Sequence, residues 1–283
     1  GVLSIYQIAA DGMLVACKRM KIERLPPIHD FAVTDRHLVF VIAPWHFSVE
    51  QLRQGRSFAA ASSWVPTGRT RVLVVAKDDW SLRWYELPPM AALHIGNAWE
   101  DPTGTIRFDM MATRDPRGMV GGWTLMRGFY SHLKGPVMTL VELGSMGAAK
   151  WKAVDDLEGE FPVVDPTVVG VRYREVLCLS RSATRPAELP GWDGLAAFDP
   201  ERGVTQAFSV GNDWALEEHV YAPDATDPGQ PSKWIVGVAM DLRERQTVLL
   251  VFSASALAQG PVAVARLPSA LPFGLHGTFH AAI

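Results

Sequence analysis

Short strand-like segments, bounded by Gly, Pro or Asp, recur along the whole chain and constrain its fold more than any other feature. They are rich in Val, Leu, Ile and aromatic residues, whereas helical periodicity is scarce. The predicted strands cover residues 2–8, 13–18, 37–44, 71–77, 137–143, 168–180, 234–240, 247–253 and 262–267. Many short strands, together with 24 Gly and 20 Pro, indicate an all-β sandwich, barrel or propeller rather than a βαβ fold.

A loosely recurring unit favours the propeller. In this unit a strand runs into Asp or Ser, turns and returns as a strand, as in residues 195–210 and 249–267. The opening residues make the same unit around an Asp11-Gly12 turn of the hairpin type. Recurrent antiparallel pairs of this kind are typical of propeller blades. We also predict a short helix at residues 49–54, a single turn at 255–259 and a surface loop at 221–232.

The bulk properties describe a globular chain with no electrostatic preference for a polyanion. With 283 residues, 48% of them hydrophobic, it can bury a large core, and a net charge of -3 indicates no nucleic-acid partner. Cys17 and Cys178 are too few for a disulfide framework, which predicts a reducing compartment, the cytoplasm. No run of 18 apolar residues and no signal peptide is visible. The chain begins at Gly1 inside a strand pattern, so we expect the true N-terminus upstream.

Three of the eight histidines stand in contexts that single them out as candidate metal ligands. His29 lies in PIHDFAVT before a predicted strand, His94 lies in LHIGNAWE, and His276 is flanked by glycines in LPFGLHGTF. Glycine lets backbone or ligand approach closely. The competing interpretation is a buried histidine satisfied by a backbone carbonyl group. The other five are expected at solvated loop or strand-end positions and receive no role: His37, His46, His132, His219 and His280.

No single helix or hairpin could gather three histidines that are so far apart in sequence, but a propeller could. Its innermost strands all face one central axis, where remote residues converge. Four strings occur in order: HDF at 29–31, HIGNAWE at 94–100, EFP at 160–162 and PFGLHGTF at 272–279. With them the chain resembles the carotenoid cleavage oxygenases, a family that includes plant epoxycarotenoid dioxygenases, lignostilbene dioxygenases and the vertebrate retinoid isomerase. The resemblance covers essentially the whole chain.

The resemblance implies a seven-bladed β-propeller with iron(II) on its axis, held by four histidines beneath loops that form an apolar tunnel. His29, His94 and His276 match the second, third and fourth ligands. Glu160 matches a glutamate expected to orient His94, and Glu218 one expected to orient His276. A carboxylate that binds the outer imidazole nitrogen fixes the tautomer and the ring plane of a ligand. Neutral imidazoles suit a divalent first-row metal, and open coordination positions leave room for O₂.

The first histidine of the family and the glutamate expected to orient His29 have no match in this sequence, and we expect both upstream of Gly1. Seven blades of roughly 40 to 50 residues need about 300 to 350 residues. We therefore predict that residues 1–283 form a single, N-terminally truncated propeller domain that lacks its first one or two blades. Asp30 and Glu100 are expected to brace their loops, and Phe31 and Phe273 are candidates for packing near the iron.

For function, the resemblance implies cleavage of a conjugated C=C bond of a carotenoid or apocarotenoid by O₂, giving two carbonyl products. A stilbene-type phenolic is the alternative substrate within the family. Two hypotheses come from other classes. One is a non-catalytic propeller that serves as a binding module, and the other is a calcium-dependent propeller hydrolase, which would use carboxylate and Asn ligands rather than imidazoles. The expected partners are an apolar polyene or stilbene, O₂, and a peripheral membrane contact for substrate uptake.

Overall fold

The computed structural model describes residues 1–58, 60–116, 133–224, 227 and 229–280, and the described residues are mostly β-strand. The strands are β1 Val2–Ile8, β2 Leu14–Lys21, β3 Ala32–Val33, β4 His37–Ile42, β5 Trp45–Phe47, β6 Ser62–Trp64, β7 Thr70–Ala76, β8 Leu82–Leu87, β9 Ala91–Glu100, β10 Ile106–Thr113, β11 Val137–Leu143, β12 Ala149–Val163, β13 Val176–Ser180, β14 Gly194–Asp199, β15 Gly203–Ser209, β16 Trp214–Ala222, β17 Trp234–Asp241, β18 Gln246–Ser253 and β19 Pro261–Arg266. One α-helix, α1, spans Val49–Arg53, and short 3₁₀ turns span Pro166–Val168 and Ala254–Gln259.

Within the described residues, four antiparallel meanders follow one another along the chain. Blade A contains β3, β4, β7 and β8, and blade D contains β16 to β19. Blades B and C share the long strand β12, whose first part pairs with β11 and whose second part pairs with β13. Blade B is therefore β9, β10, β11 and the start of β12, and blade C is the end of β12 with β13, β14 and β15. This is the all-β propeller architecture that the sequence predicts, while the count of seven blades stays a prediction.

The apolar cores lie between neighbouring blades rather than inside one of them. Each combines buried side chains of two blades: Val74 and Phe108 belong to the core between A and B, Met138 and Phe198 to that between B and C, and Leu195 and Phe252 to that between C and D. Burying one such side chain stabilises the fold by about 1.5–3 kcal/mol. The blades are therefore held face to face, and their first strands come together at one side.

A β-bulge interrupts the innermost strand of three of these blades. Between residues 95 and 98 of β9, 160 and 163 of β12, and 216 and 219 of β16, two residues stand where the partner strand has one. Bulges twist a strand and re-aim its side chains, and they are frequent beside functional sites. Because all three face the same side of the fold, they mark where the candidate site is built.

The predicted strand at residues 168–180 is wrong in its first half, since the observed strand β13 spans only Val176–Ser180. Gly170 adopts φ +81°, and the Asn97 side chain binds the backbone on both sides of it. A side chain that takes these backbone groups replaces the ladder of a neighbouring strand. In the predicted loop at 221–232, β16 ends at Ala222, and residues 225, 226 and 228 lie outside the described part.

The expectation that His219 is solvated is also wrong. It lies on β16 with 1% of its surface exposed, and its Nδ1–H donates to the carbonyl oxygen of Glu217 at 2.8 Å. The sequence shows a strand-end histidine, whereas the structure places it between β16 and Phe252 of β18. His132 lies outside the described residues. Among those that are described, no helix is long and apolar enough to cross a membrane.

Candidate metal centre

His94 is held by a buried carboxylate. It lies on β9 where residues 93 and 94 stand opposite one residue of β10, directly before the bulge at 96–97, and its Nδ1 is 2.5 Å from Oε2 of Glu160 on β12. The side chains are 12% and 9% exposed. The same Oε2 accepts a hydrogen bond from the backbone N–H of Phe161 at 2.9 Å. Since Nδ1 is engaged by Glu160, the Nε2 lone pair of His94 is free for a metal ion.

His29 reaches the same point from the irregular segment before β3. The next residue, Asp30, fixes it there: Asp30 Oδ2 accepts from the backbone N–H of Ile95 at 2.8 Å, and Oδ1 accepts from that of Phe31 at 2.7 Å. Asp30 thus braces its loop, as expected, and joins it to β9 beside His94. No carboxylate of the described residues orients the His29 ring by a hydrogen bond to Nδ1.

His276 comes from the segment after β19, which has no regular secondary structure. Its Nδ1 is 3.4 Å from Oε2 of Glu218, and the same oxygen accepts from the backbone N–H of Gly277 at 2.6 Å. The neighbouring carboxylate, Glu217, accepts a hydrogen bond from the backbone of Gly274. The bulge in β16 allows two consecutive carboxylates to bind the same segment, which side-chain alternation along a regular strand would prevent.

The three Nε2 atoms face one another. His94 Nε2 is 3.1 Å from His29 Nε2 and 3.3 Å from His276 Nε2, and the three candidate donor nitrogens all lie within 4.8 Å of one another. His94 Nε2 has one lone pair, so hydrogen bonding does not explain two such neighbours. Two imidazole nitrogens that bind one first-row ion about 2.1 Å away stand about 3.0–3.4 Å apart. The two distances from His94 Nε2 therefore fit a shared divalent cation, and the three imidazoles are the type of ligand that such an ion binds.

The electrostatics of the ligands follow from these contacts. Burial by itself would lower the pKa of His94, but the hydrogen bond and the charge of Glu160 outweigh it, so the pKa is raised above its ordinary value. The pKa of His29 is lowered by burial and by the neighbouring imidazoles His94 and His276. His29 therefore offers a neutral ring readily, and Glu160 offsets positive charge at His94.

Phe161 supplies the aromatic packing of the site. Its ring stacks on His94 with centroids 4.8 Å apart and meets His276 edge-on at 5.3 Å. It lies in the bulge of β12 with φ +54°, a conformation that is unfavourable for a side chain of this size. Of the predicted candidates, Phe31 stacks on Phe40, Phe273 lies near Gly191, and neither lines the cavity at the histidines.

A cavity of about 500 Å³ opens at the histidines. Its polar lining consists of groups already assigned to the site, namely the three histidines, Asp30 and Glu218. Its remaining lining is apolar or backbone: Ile95, Gly96, Phe161, Pro162, Val163, Val164 and Val169. In the described part of the chain, an apolar surface therefore lies next to the histidine cluster.

The structure thus brings together all five predicted site residues, although their roles as ligands and orienting groups stay predictions. Glu100 lies apart, where it binds Arg36 and His37 at the far end of β9. Sequence reasoning missed Phe161, Asn97 and Glu217. The first two stand inside the EFP and HIGNAWE strings, whereas only the doubling of Glu at 217 and 218 could have indicated the third.

Several curated proteins are similar to this chain in sequence. A carotenoid 9,10(9′,10′)-cleavage dioxygenase 1 of Pisum sativum is 24% identical over 96% of this chain and 52% of that protein. A lignostilbene-α,β-dioxygenase isozyme III of Sphingomonas paucimobilis is 23% identical over 98% of this chain and 59% of that protein. The chain spans about half the length of the curated relatives it matches.

Solved structures share the fold. A cobalt-substituted Synechocystis apocarotenoid oxygenase superposes with a TM-score of 0.86 at 18% identity, over 99% of this chain and 58% of that one. A lignostilbene dioxygenase of Pseudomonas brassicacearum gives a TM-score of 0.82 at 20% identity, over 97% and 59% of the two chains.

The family described as retinal pigment epithelial membrane protein matches residues 2–281, almost the entire chain. This match agrees with the order of the four sequence strings, with the propeller fold and with the convergence of the three histidines beside the inner strands. The chain belongs to the family of carotenoid cleavage oxygenases and the retinal pigment epithelial membrane protein.

Proposed function

We propose that the protein is an iron(II)-dependent dioxygenase that cleaves a conjugated C=C bond of a carotenoid or apocarotenoid with O₂, giving two carbonyl products. The observation that carries the proposal is the meeting of three Nε2 atoms whose rings come from different parts of the propeller. Imidazole ligands suit iron(II), and a site with open positions admits O₂ beside a substrate. When bound, iron(II) supplies the activation of O₂.

The residues of this chain orient the imidazole ligands and position the substrate. Glu160 and Glu218 keep two imidazoles in the tautomer that presents Nε2, and their charges offset that of the cation. Phe161 covers one face of His94 and meets the edge of His276, which restricts how the two rings can turn. The apolar lining of the cavity holds a long hydrocarbon chain, so that the choice of bond comes from how the substrate is placed.

The composition of the cavity supports the polyene over the stilbene-type phenolic. Recognition of a phenol hydroxyl needs a polar group that is not already engaged. In the described lining, every polar side chain belongs to the histidine cluster or to its supporting carboxylates. The stilbene stays the second candidate because a relative at 23% identity is a lignostilbene dioxygenase. Peripheral membrane contact and a cytoplasmic location stay predictions.

The proposal is tested on the protein expressed from its natural gene. It is purified without oxygen, its bound iron is measured, and the absorbance of an apocarotenal or a hydroxystilbene is followed with and without O₂. We expect bound iron and an O₂-dependent loss of the polyene absorbance. His94→Ala should remove both iron and turnover. Protein without iron that leaves both chromophores intact would instead support a binding module.

A further inference from the structure

The loop after β12 carries a side chain into the cavity of the candidate metal centre. Val169 lines that cavity and is 54% exposed, although it belongs to no strand. An exposed valine is ordinary on a protein surface. What distinguishes this one is the way in which the backbone on either side of it is fixed.

Asn97 fixes the loop around Val169. This residue is 4% exposed and lies in the bulge of β9, three positions after His94. Its Nδ2 donates to the carbonyl oxygens of Val168 at 2.8 Å and Val171 at 3.2 Å, and its Oδ1 accepts from the N–H of Gly170 at 2.9 Å. The amide thus uses both of its donors and its acceptor on one loop. The side chain of Val169 is left free to face the cavity.

Two further contacts fix the ends of the same loop. On one side, Asp165 Oδ2 accepts from the backbone N–H of Ser232 at 2.5 Å. On the other side, the Tyr173 hydroxyl donates to the buried carboxylate of Asp109, on the strand paired with the β9 bulge. A loop with its middle and both ends fixed is a rigid wall rather than a lid. Because valine is branched at Cβ, its own side chain is stiff as well.

We propose that Val169 determines substrate specificity by limiting the width of the substrate beside the metal, and that Asn97 is the positioning residue that holds it there. This inference rests on the proposed function, since the width that matters is that of an apolar chain in the cavity. A larger side chain at 169 should exclude methyl-branched chains, and a smaller one should admit wider groups.

The test compares two polyene aldehydes that differ only in methyl branches next to the cleaved bond. The variants Val169→Phe and Val169→Ala are made in the protein expressed from its natural gene and loaded with iron. We expect Val169→Phe to lower kcat/KM for the branched aldehyde at least tenfold more than for the unbranched one, with unchanged iron content. Val169→Ala should shift the ratio the other way.

The matched control is Val204→Phe, which adds the same ring to a valine that is 50% exposed on β15, the outer strand of blade C. It should leave the ratio between the two aldehydes unchanged. The proposal is overturned if Val169→Phe changes both substrates equally, or if Val204→Phe changes the ratio as much. If the wild-type protein turned over neither aldehyde, the proposed function would fail separately. The ratio of their dissociation constants, measured on the same variants, would then decide the role of Val169.

Asn97 is tested through its coupling to Val169. Asn97→Asp keeps the acceptor for Gly170 but turns a carboxylate oxygen toward two carbonyl groups, so the loop should move. We expect it to shift the substrate ratio in the direction of Val169→Ala and to have no further effect on the ratio when both changes are combined. If Asn97→Asp shifted the substrate ratio equally in the wild type and in Val169→Ala, Asn97 would not act through Val169. Loss of iron without a change in the substrate ratio would also exclude this role.

Discussion

His94 and His276 are oriented by the same chemical device in very different surroundings. His94 lies on a strand, with a carboxylate 2.5 Å away, and its side chain is 12% exposed. His276 lies in a segment without regular structure, with a carboxylate 3.4 Å away, and its side chain is 49% exposed. A hydrogen bond to a charged group is stronger where water is excluded. The first pair therefore forms a rigid half of the site, and the second an adaptable half.

The difference has a structural cause. His94 and Glu160 are on adjacent inner strands that are fixed by buried cores: Ile95 of β9 lies in the core between blades A and B, and Leu157 of β12 lies in that between B and C. The segment that carries His276 is held instead by a few bonds, from Gly274 to Glu217, from Gly277 to Glu218 and from the N–H of Leu271 to Thr247. We infer that β9 would set the position of the proposed metal ion and that His276 would adjust to it.

The largest expected effect is a difference in metal affinity between variants of Glu160 and of Glu218. Glu160→Gln should weaken metal binding about 100-fold and Glu218→Gln about 10-fold, the two ends of the usual range for a group that orients a ligand. The reason is that Glu160 is close to a buried histidine, whereas Glu218 is farther from a histidine that is half exposed. Anaerobic titration with Fe²⁺ or Co²⁺, in the protein expressed from its natural gene, gives the two affinities.

Glu201→Gln serves as the control for that experiment. Its carboxylate is 73% exposed and pairs with Arg172 at the surface, so the substitution should leave metal affinity unchanged. Equal losses from Glu160→Gln and Glu218→Gln would show that the rigid and adaptable halves are not different.

Glycine substitutions should show the same difference between the rigid and the adaptable half in the free energy of unfolding. A Cβ at Gly96 would overlap Oδ2 of Asp109 and stand 2.9 Å from a methyl group of Val176, both fully buried. Gly96→Ala should therefore cost about 1–3 kcal/mol in the free energy of unfolding. A Cβ at Gly274 meets Oε2 of Glu217 at 2.6 Å, the movable end of a side chain, so Gly274→Ala should cost about 0.5 kcal/mol or less.

Urea unfolding followed by tryptophan fluorescence measures both costs. Gly277→Ala is the matched control in the adaptable segment, since a Cβ there meets nothing within 4 Å. A larger loss from Gly274→Ala than from Gly96→Ala would reverse the assignment of the rigid half.

The smallest expected effect concerns pH. Burial lowers the pKa of His219 to about 4, whereas the unfolded chain titrates near about 6.5. Between these values the unfolded state binds more protons, so His219 stabilises the fold above about pH 6.5 and this contribution is lost as the pH falls toward about 4. From pH 6.5 to 5 its share is about 1.5 kcal/mol.

Measuring the free energy of unfolding at both pH values in the wild type and in His219→Gln isolates this share. Asp109, whose pKa burial raises to about 6, contributes with the opposite sign in both proteins and cancels in the difference. Identical pH dependence in the two proteins would contradict the assignment.

Local patterns sufficed for the strands and for the choice of histidines. The opening hairpin, β11 at residues 137–143 and the short helix α1 were predicted close to their observed bounds. His29, His94 and His276 were selected from local strings, whereas Glu160 and Glu218 were assigned through the resemblance to the carotenoid cleavage oxygenases. The half-wrong strand at 168–180 failed because Asn97, some seventy residues earlier, binds that backbone.

The sequence by itself determined an all-β chain with five residues for one site, because alternation, turn residues and short strings are properties of neighbours along the chain. Only the tertiary structure decided the bulges at residues 96–97, 161–162 and 217–218, the left-handed conformation of Phe161 and the burial of His219. A bulge is defined by the register between two strands, and burial by the packing of two blades. Both depend on contacts between residues that are distant in sequence.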